Sequence, residues 1–298
     1  MKRVVVVIMA LAALETGTID EHFSVHCAGG ADFYGHYYRC HLKGGHGTVD
    51  LHKSIVKSCD VFFYNVGNKM GIDNIARYAD MVGYGHPTGV DLPNEVTGTV
   101  PSTEWKLRTA RQKWYAGETI PVSIGQGALT VTPLQMARAI GGLAIGGQWH
   151  HPHLVKAAGV VEKPDTAKLA AESVQQVVYG MYGVVNEGGT GALAQIPSLD
   201  ICGKTGTAQV ASAELAKRVG GEEMKDNAWF VAFAPREEPE IVVVALWDHG
   251  AEGPLAAPIV RDVLKAYFDK KLRQREVRQQ QIAMVDNLSQ RMHLGLKN

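Results

Sequence analysis

Four consecutive residues, Lys204-Thr205-Gly206-Thr207, place a cation, two hydroxyls and a glycine within a strand-like segment. The lysine can attract a carboxylate and alter nearby proton affinities, the hydroxyls can bind the same ligand, and the glycine lets another backbone approach. On a strand edge these residues could bind an extended peptide. An edge lysine also serves simply to discourage aggregation, so the motif alone leaves an ordinary edge strand as the alternative.

A second group, Ser58-Cys59-Asp60, combines a hydroxyl with a carboxylate. A serine that reaches a lysine can pass a proton to or from a reacting group. Asp60 could orient an amide, although an ionised carboxylate acts only as an acceptor. The alternative interpretation is a serine at the end of a helix.

Three of the four cysteines and one histidine fall within a short segment: Cys27, Cys40, His46 and Cys59, at intervals of 13, 6 and 13 residues. Three thiolates and an imidazole are a complete tetrahedral set for structural zinc. The spacing is not that of a standard zinc finger. A Cys27–Cys40 disulfide in an oxidising compartment and buried small apolar groups are the alternatives, and His26, His36 and His41 are spare ligands.

The surrounding pattern predicts helices first, then strands, then a final helix. Thr132 to Gln135 has the form of a capping box, which indicates a helix start. Cys27 to Gly47 has little periodicity and is expected to be a loop. The expected helices are Val4 to Leu14, Asp73 to Val82, Thr166 to Val185 and Ala256 to Phe268, and the expected strands are Leu199 to Val210, Ala228 to Ala234 and Ile241 to Trp247.

Composition argues against several classes of protein. The 298 residues are 46% hydrophobic, and 30 basic residues balance 30 acidic ones, so neither disorder nor nucleic-acid binding is indicated. Met1-Lys2-Arg3 before an apolar run imitates a secretory signal, but a buried helix that ends at Gly17 explains the same pattern. The apolar run is too short to span a bilayer.

Several blocks together resemble the class B penicillin-binding proteins, specifically the elongation-type peptidoglycan D,D-transpeptidase conventionally numbered two. The matching blocks are Ala10 to Ile19, Gly45 to Tyr64, Gly83 to Pro93, Trp114 to Met136, Gly203 to Val210 and Trp229 to Pro235. The resemblance implies a mixed α/β (more narrowly α+β) fold with an antiparallel sheet flanked by helices. It assigns residues 1–268 to an incomplete transpeptidase domain and 269–298 to a polar, frayed or solvated tail.

The same resemblance implies roles for the motif residues. Lys204, Ser58 and Asp60 would be catalytic, whereas Thr205, Gly206 and Thr207 would bind substrate, with the Thr207 N–H completing an oxyanion hole. Some members of the family bind zinc near Cys27, Cys40, His46 and Cys59, which favours a structural zinc ion over the alternatives.

The family's nucleophile motif, S-x-x-K, should begin near residue 3 with its lysine near residue 6. Arg3 and Val6 stand there instead. Ser54 to Lys57 fits the string but adjoins Ser58, whereas the mechanism needs groups that converge from different elements. We therefore expect a truncated or misassigned start, an inactive chain, missing first strands of the sheet, and an open, poorly soluble edge at Ile241 to Trp247.

The implied reaction is acyl transfer that cross-links stem peptides ending in D-Ala-D-Ala during cell-wall elongation. The implied partners are that stem peptide, β-lactams, and the membrane proteins and glycosyltransferase of the elongation complex, at the periplasmic face of the inner membrane. No nucleic acid, nucleotide or redox cofactor is expected. The rivals are a catalytically silent binding module, a serine β-lactamase or D,D-carboxypeptidase relative, which the block Trp114 to Met136 disfavours, and, remotely, a zinc-dependent nucleic-acid module.

Overall fold

A computed structural model describes residues 4–155, 163–210, 218–221 and 224–295, with side chains as far as residue 285. Helices and antiparallel strands alternate in an α+β arrangement, in agreement with the predicted fold class. The helices are α1 (Val6–Glu15), α2 (Leu51–Val56), α3 (Asp60–Met70), α4 (Ile72–Met81), α5 (Thr103–Ala110), α6 (Thr119–Val122), α7 (Pro133–Ala144), α8 (Ala171–Asn186) and α9 (Ala257–Gly295). The strands are β1 (Val25–Cys27), β2 (Gly30–Phe33), β3 (His36–Arg39), β4 (Gly47–Val49), β5 (Gln148–Trp149), β6 (Asp165–Thr166), β7 (Cys202–Ala208), β8 (Asn227–Ala234) and β9 (Ile241–Trp247).

The main sheet contains β7, β8 and β9 in that order, all antiparallel. Its central strand is almost entirely buried, as its run of apolar residues predicts. In the register, Lys204 lies opposite Val231 and Gly206 opposite Trp229. Within the described part of the chain β9 pairs only with β8, so its other side is the open edge that the sequence predicts.

The apolar start of the chain is a buried helix. Every residue of α1 from Val6 to Ala13 is buried, and the helix contacts α3, α4 and α8. The chain leaves the helix at Gly17, whose φ of 62° lies in the left-handed region that favours glycine. The buried-helix interpretation therefore fits, and no helix among the described residues is both long and apolar enough to cross a membrane.

The predicted capping box is confirmed at the start of α7. The Thr132 hydroxyl accepts a hydrogen bond from the Gln135 N–H, and the Gln135 side chain accepts one from the Thr132 N–H. The apolar face of α7 contacts β8 and β9. Together with α8, which contacts β7, and α9, which contacts β8 and β9, this helix supports the sheet.

Two local expectations are wrong. The segment Cys27 to Gly47 is not a simple loop, because β1 pairs with β4 and β2 with β3 in two small sheets. These strands have only three or four residues, too few to show an alternating pattern. Helix α8 begins at Ala171 rather than Thr166, since Thr166 pairs with Gln148 across β5 and β6.

The last helix also departs from expectation. The apolar pattern of the sequence predicts that Ile259, Val260, Val263 and Leu264 pack on the sheet. Val260 and Leu264 are buried, whereas Ile259 and Val263 are 45% exposed. Beyond residue 268 the chain is not frayed, because α9 continues to Gly295. The side chains described in this extension are mostly exposed, so the polar composition predicted solvation correctly but not conformation.

Candidate active-site cleft and metal site

The structure brings together two motifs that lie 146 residues apart. The Lys204 Nζ donates a hydrogen bond of 2.7 Å to the Ser58 Oγ. Both residues are buried: Lys204 has no exposed surface, and Ser58 is 3% exposed. A lysine in direct contact with a serine hydroxyl is an arrangement that can move a proton between the two groups.

Ser58 is presented by a sharp turn between two helices. Asp50 caps α2 by accepting a hydrogen bond from the Lys53 N–H. After α2, Ser58 adopts a φ of 55°, a left-handed conformation that is uncommon for a non-glycine residue and is concentrated at functional sites. The chain then enters α3 directly, with Cys59 as its N-terminal flanking residue. From this turn the Ser58 hydroxyl contacts Lys204 of β7.

The serine and the strand share a cavity of about 480 Å³. Its lining includes Ser58 from the turn and Thr205, Gly206 and Thr207 from β7. Gly253 packs against this strand so closely that an added Cβ would lie 2.3 Å from the Gly206 carbonyl oxygen. The predicted substrate-binding residues thus form one wall of a cleft, and Ser58 lies on another.

Two predicted catalytic residues do not line this cavity. Lys204 contacts Ser58 but is not among the residues that line the cavity. Asp60 is buried in the first turn of α3, where its Oδ2 accepts a hydrogen bond of 3.0 Å from the His41 N–H. In this position Asp60 orients the His41 backbone, a contact that sequence reasoning did not anticipate.

Several lining residues were missed from the sequence, including one histidine and one threonine. His41 and Thr190 both face the cavity, and the Thr190 hydroxyl lies 2.7 Å from that of Thr205. No local pattern marks either residue. The Thr190 contact spans 15 residues and depends on how α8 packs against β7, while His41 was noted only as a spare metal ligand.

The four predicted metal ligands converge. One donor atom from each of Cys27, Cys40, His46 and Cys59 lies within 4.8 Å of all the others. The His46 Nδ1 is 3.6 Å from the Cys27 sulfur and 3.5 Å from the Cys40 sulfur. In a tetrahedral zinc site with bonds of about 2.0–2.3 Å, neighbouring donors lie about 3.3–3.8 Å apart. The donor set therefore fits zinc in chemistry, and the two distances from His46 fall in the tetrahedral range.

The thiols of Cys40 and Cys59 and the imidazole of His46 have shifted pKa values. A hydrogen bond with Cys59 lowers the pKa of the Cys40 thiol, while the same bond and burial raise the pKa of Cys59. Burial lowers the pKa of His46 and so favours the neutral imidazole that ligates metals. All four cysteines of the chain are described and all are free, so the structure contains no Cys27–Cys40 disulfide.

The S-x-x-K motif that begins at Ser54 is not part of the cleft. The Ser54 hydroxyl is fully buried and donates to the Leu51 carbonyl within α2. Neither Ser54 nor Lys57 lines the cavity. Of the two positions where the family would place its nucleophile motif, Arg3 lies outside the described residues and Val6 is a buried residue of α1.

Comparison with known sequences agrees with the geometry. The family model for the penicillin binding protein transpeptidase domain matches residues 4–265. The peptidoglycan D,D-transpeptidase MrdA of Acinetobacter baumannii is 39% identical over 270 residues, which cover 85% of this chain and 40% of the relative. MrdA of Escherichia coli is 33% identical over 273 residues, or 86% of this chain and 43% of the relative. The chain thus spans about two fifths of the length of these curated relatives.

Solved structures share the same fold. Pseudomonas aeruginosa PBP2 in complex with WCK 5153 has a TM-score of 0.81 at 35% identity, over 89% of this chain and 60% of that one. Helicobacter pylori PBP2, solved in a complex with MreC, has a TM-score of 0.81 at 31% identity, over 90% of this chain and 49% of that one. The match over residues 4–265, joined to a shared fold and a Ser58–Lys204 cleft, shows that the chain belongs to the penicillin-binding protein transpeptidase family.

Proposed function

We propose that this chain is the peptidoglycan-binding part of an elongation-type D,D-transpeptidase, and that its cleft receives the D-Ala-D-Ala end of a stem peptide. The observation that carries the proposal is the Lys204–Ser58 contact beside a cavity lined by Thr205 to Thr207. A terminal carboxylate and an extended peptide backbone are the ligand features that threonine hydroxyls and a bare glycine would recognise, beside the positive charge of the buried Lys204. β-Lactams would enter the same cleft.

In the reaction of the family, a serine oxygen attacks the carbonyl of the penultimate D-Ala, the peptide bond breaks, and the terminal D-Ala leaves with a proton. An amine of a neighbouring stem peptide then takes the acyl group and releases the serine. In this chain the completely buried Lys204 would act through Ser58, to whose hydroxyl it donates a hydrogen bond. In a chain that forms the acyl-enzyme, a serine placed as Ser58 is, in contact with Lys204, would pass the proton to the leaving nitrogen.

We further propose that the chain binds this ligand without forming an acyl-enzyme. Its single S-x-x-K string begins at Ser54, whose hydroxyl is bonded within α2 and does not line the cavity. A binding module of the elongation machinery that does not carry out acyl transfer is the second candidate function, and this same observation favours it.

We assign a structural zinc ion to Cys27, Cys40, His46 and Cys59. The ion would supply no chemistry to the substrate, because all four ligand positions are protein atoms. Its role would be mechanical: Cys59 lies between Ser58 and Asp60, so a bond at its sulfur would fix the turn that presents Ser58.

The partners of the chain are proposed by analogy with its relatives. Helicobacter pylori PBP2 forms a complex with MreC, and another neighbour of this fold comes from a peptidoglycan synthase complex that coordinates polymerization and crosslinking. We propose equivalent partners here, namely elongation-complex membrane proteins and a glycosyltransferase, at the periplasmic face of the inner membrane.

A fluorescent penicillin tests the proposal. We expect saturable binding by fluorescence anisotropy, competition by N-acetyl-D-Ala-D-Ala, and complete loss of the label on denaturation. Absence of saturable binding would overturn the proposed function. Label that survives denaturation would retain the binding cleft but refute the non-acylating part of the proposal.

A further inference from the structure

Thr190 supplies a hydroxyl to the cleft that no motif of the sequence predicted. Its Oγ1 lies 2.7 Å from the Thr205 Oγ1, and both residues line the cavity that contains Ser58. Thr205 itself is 4% exposed, so its hydroxyl has few alternative partners. The two hydroxyls therefore form a pair at the wall where the proposed ligand would lie.

The loop that carries Thr190, residues 187–191, is fastened to α2 at three points. The His52 Nε2 lies 2.7 Å from the Glu187 Oε2, the Lys57 Nζ donates to the Gly188 carbonyl at 3.0 Å, and the Thr190 N–H donates to the Val56 carbonyl at 3.3 Å. The lysine of the S-x-x-K string thus has a structural partner in this loop. Because α2 ends at Val56, two residues before Ser58, one short helix and its C-terminal turn place both the serine and the Thr190 loop.

The proton count of the pair determines what it can bind. Each hydroxyl has one proton, so in the pair one hydroxyl donates to the other. If Thr205 donates to Thr190, it has no proton left for a ligand. A carboxylate accepts only, and it therefore selects the opposite arrangement, in which Thr190 donates to Thr205 and Thr205 donates to the carboxylate. Hydrogen bonds in such a chain strengthen one another.

We infer that Thr190 is a positioning residue that orients the Thr205 hydroxyl toward a ligand carboxylate, and that it sets the preference of the cleft for a free C-terminal acid over its amide. The inference rests on the proposed function, since it takes the cleft ligand to be a peptide with a terminal carboxylate. It adds a residue and a specificity that neither the motifs nor the relatives assign.

The experiment compares two ligands on the full chain, N-acetyl-D-Ala-D-Ala and its C-terminal carboxamide, by NMR titration. Thr190→Val keeps the shape of the side chain but removes the hydroxyl. We expect it to weaken binding of the acid about three- to tenfold and to change binding of the amide less than twofold. Thr190→Ser restores the hydroxyl and should restore the preference for the acid.

Thr109→Val is the matched control, because the Thr109 hydroxyl bonds within α5 to the Trp105 carbonyl and does not line the cavity. Equal losses for acid and amide in Thr190→Val, or an unchanged affinity for the acid, would overturn the inference while the proposed function stands. If the unmodified chain binds neither ligand, the proposed function fails and the inference fails with it. Thr190→Ser keeps the test decisive if Thr190→Val does not fold.

Discussion

The two walls of the cleft, strand β7 and the turn that carries Ser58, lie in different structural surroundings. Strand β7 is paired with β8 along all seven of its residues, and β8 is buried among apolar side chains. The Ser58 turn instead adjoins the segment 25–49, where strands of three or four residues form two small sheets around a cluster of sulfurs. The first wall is stabilised by packing. We therefore expect it to stay in place under any solvent condition in which the hydrophobic core remains folded. The second is built from short strands, and on the zinc assignment proposed above we expect metal coordination to hold it in place.

The largest effect should come from removing the metal. Extraction with a chelator, or Cys59→Ser, should lower the melting temperature by about 10 °C or more, because a structural zinc ion contributes folding free energy directly. Cys202 is buried in β7 outside the cluster, so Cys202→Ala should keep a full equivalent of zinc and serves as the control. Metal analysis and calorimetry check both. An unchanged melting temperature after zinc loss would contradict the expected difference between the two walls, because the Ser58 wall would then not need the metal.

The next effect should come from the β7 wall. Lys204→Met should weaken binding of N-acetyl-D-Ala-D-Ala about tenfold or more, since it removes the positive charge beside the cleft and the charged hydrogen bond to Ser58, an interaction that contributes about 1.5–3 kcal/mol. Calorimetric titration measures the affinity. The zinc content should not change, and Lys113→Met, at an exposed lysine, should behave as the unmodified chain. Loss of zinc in Lys204→Met would show that the two walls are not independent.

Substitution of two glycines should perturb each wall separately. A Cβ at Gly253 would lie 2.3 Å from the Gly206 carbonyl oxygen, and one at Gly45 would lie 2.2 Å from the Cys27 carbonyl oxygen at a φ of 75°. Each alanine should destabilise the chain by about 1–3 kcal/mol through overpacking. We expect Gly253→Ala to impair ligand binding with zinc retained, and Gly45→Ala to impair zinc retention. Denaturant unfolding, titration and metal analysis report the three quantities, and identical profiles would contradict the division.

The smallest effect should follow loss of a helix cap. Asp50→Ala removes the acceptor for the Lys53 N–H at the start of α2 and should cost about 1 kcal/mol of unfolding free energy. Because α2 leads into Ser58, the ligand affinity should fall slightly as well. Thr132→Ala, at the cap of α7, is the matched control with a similar cost and no change in ligand affinity. An equal loss of affinity in both would mean that the affinity follows global stability alone.

Local chemistry predicted some of this fold well. The capping box before α7 and the apolar run of β9 involve neighbours in sequence, so the residues alone specify them. The two small sheets of segment 25–49 and the helical extension beyond residue 268 were missed, because short strands lack periodicity and a polar, exposed helix shows no apolar face.

The site divides in the same way. The cysteine and histidine set could be proposed from ligand chemistry, and its convergence is what the structure adds. The pairing of Ser58 with Lys204 followed from the family resemblance, since nothing in either motif specifies a partner 146 residues away. His41 and Thr190 had no such guide. Their positions depend on how α2, α3 and α8 pack, which no pattern in one sequence records.

The most direct test of the account is an NMR titration of the ¹⁵N-labelled chain with N-acetyl-D-Ala-D-Ala. The account predicts that the largest shifts fall on both walls, at Ser58 and at Thr205 to Thr207, and that they saturate together with one dissociation constant. Shifts confined to other surfaces, or the absence of any saturable shift at these residues, would contradict the claim that the two walls form one peptide-binding cleft.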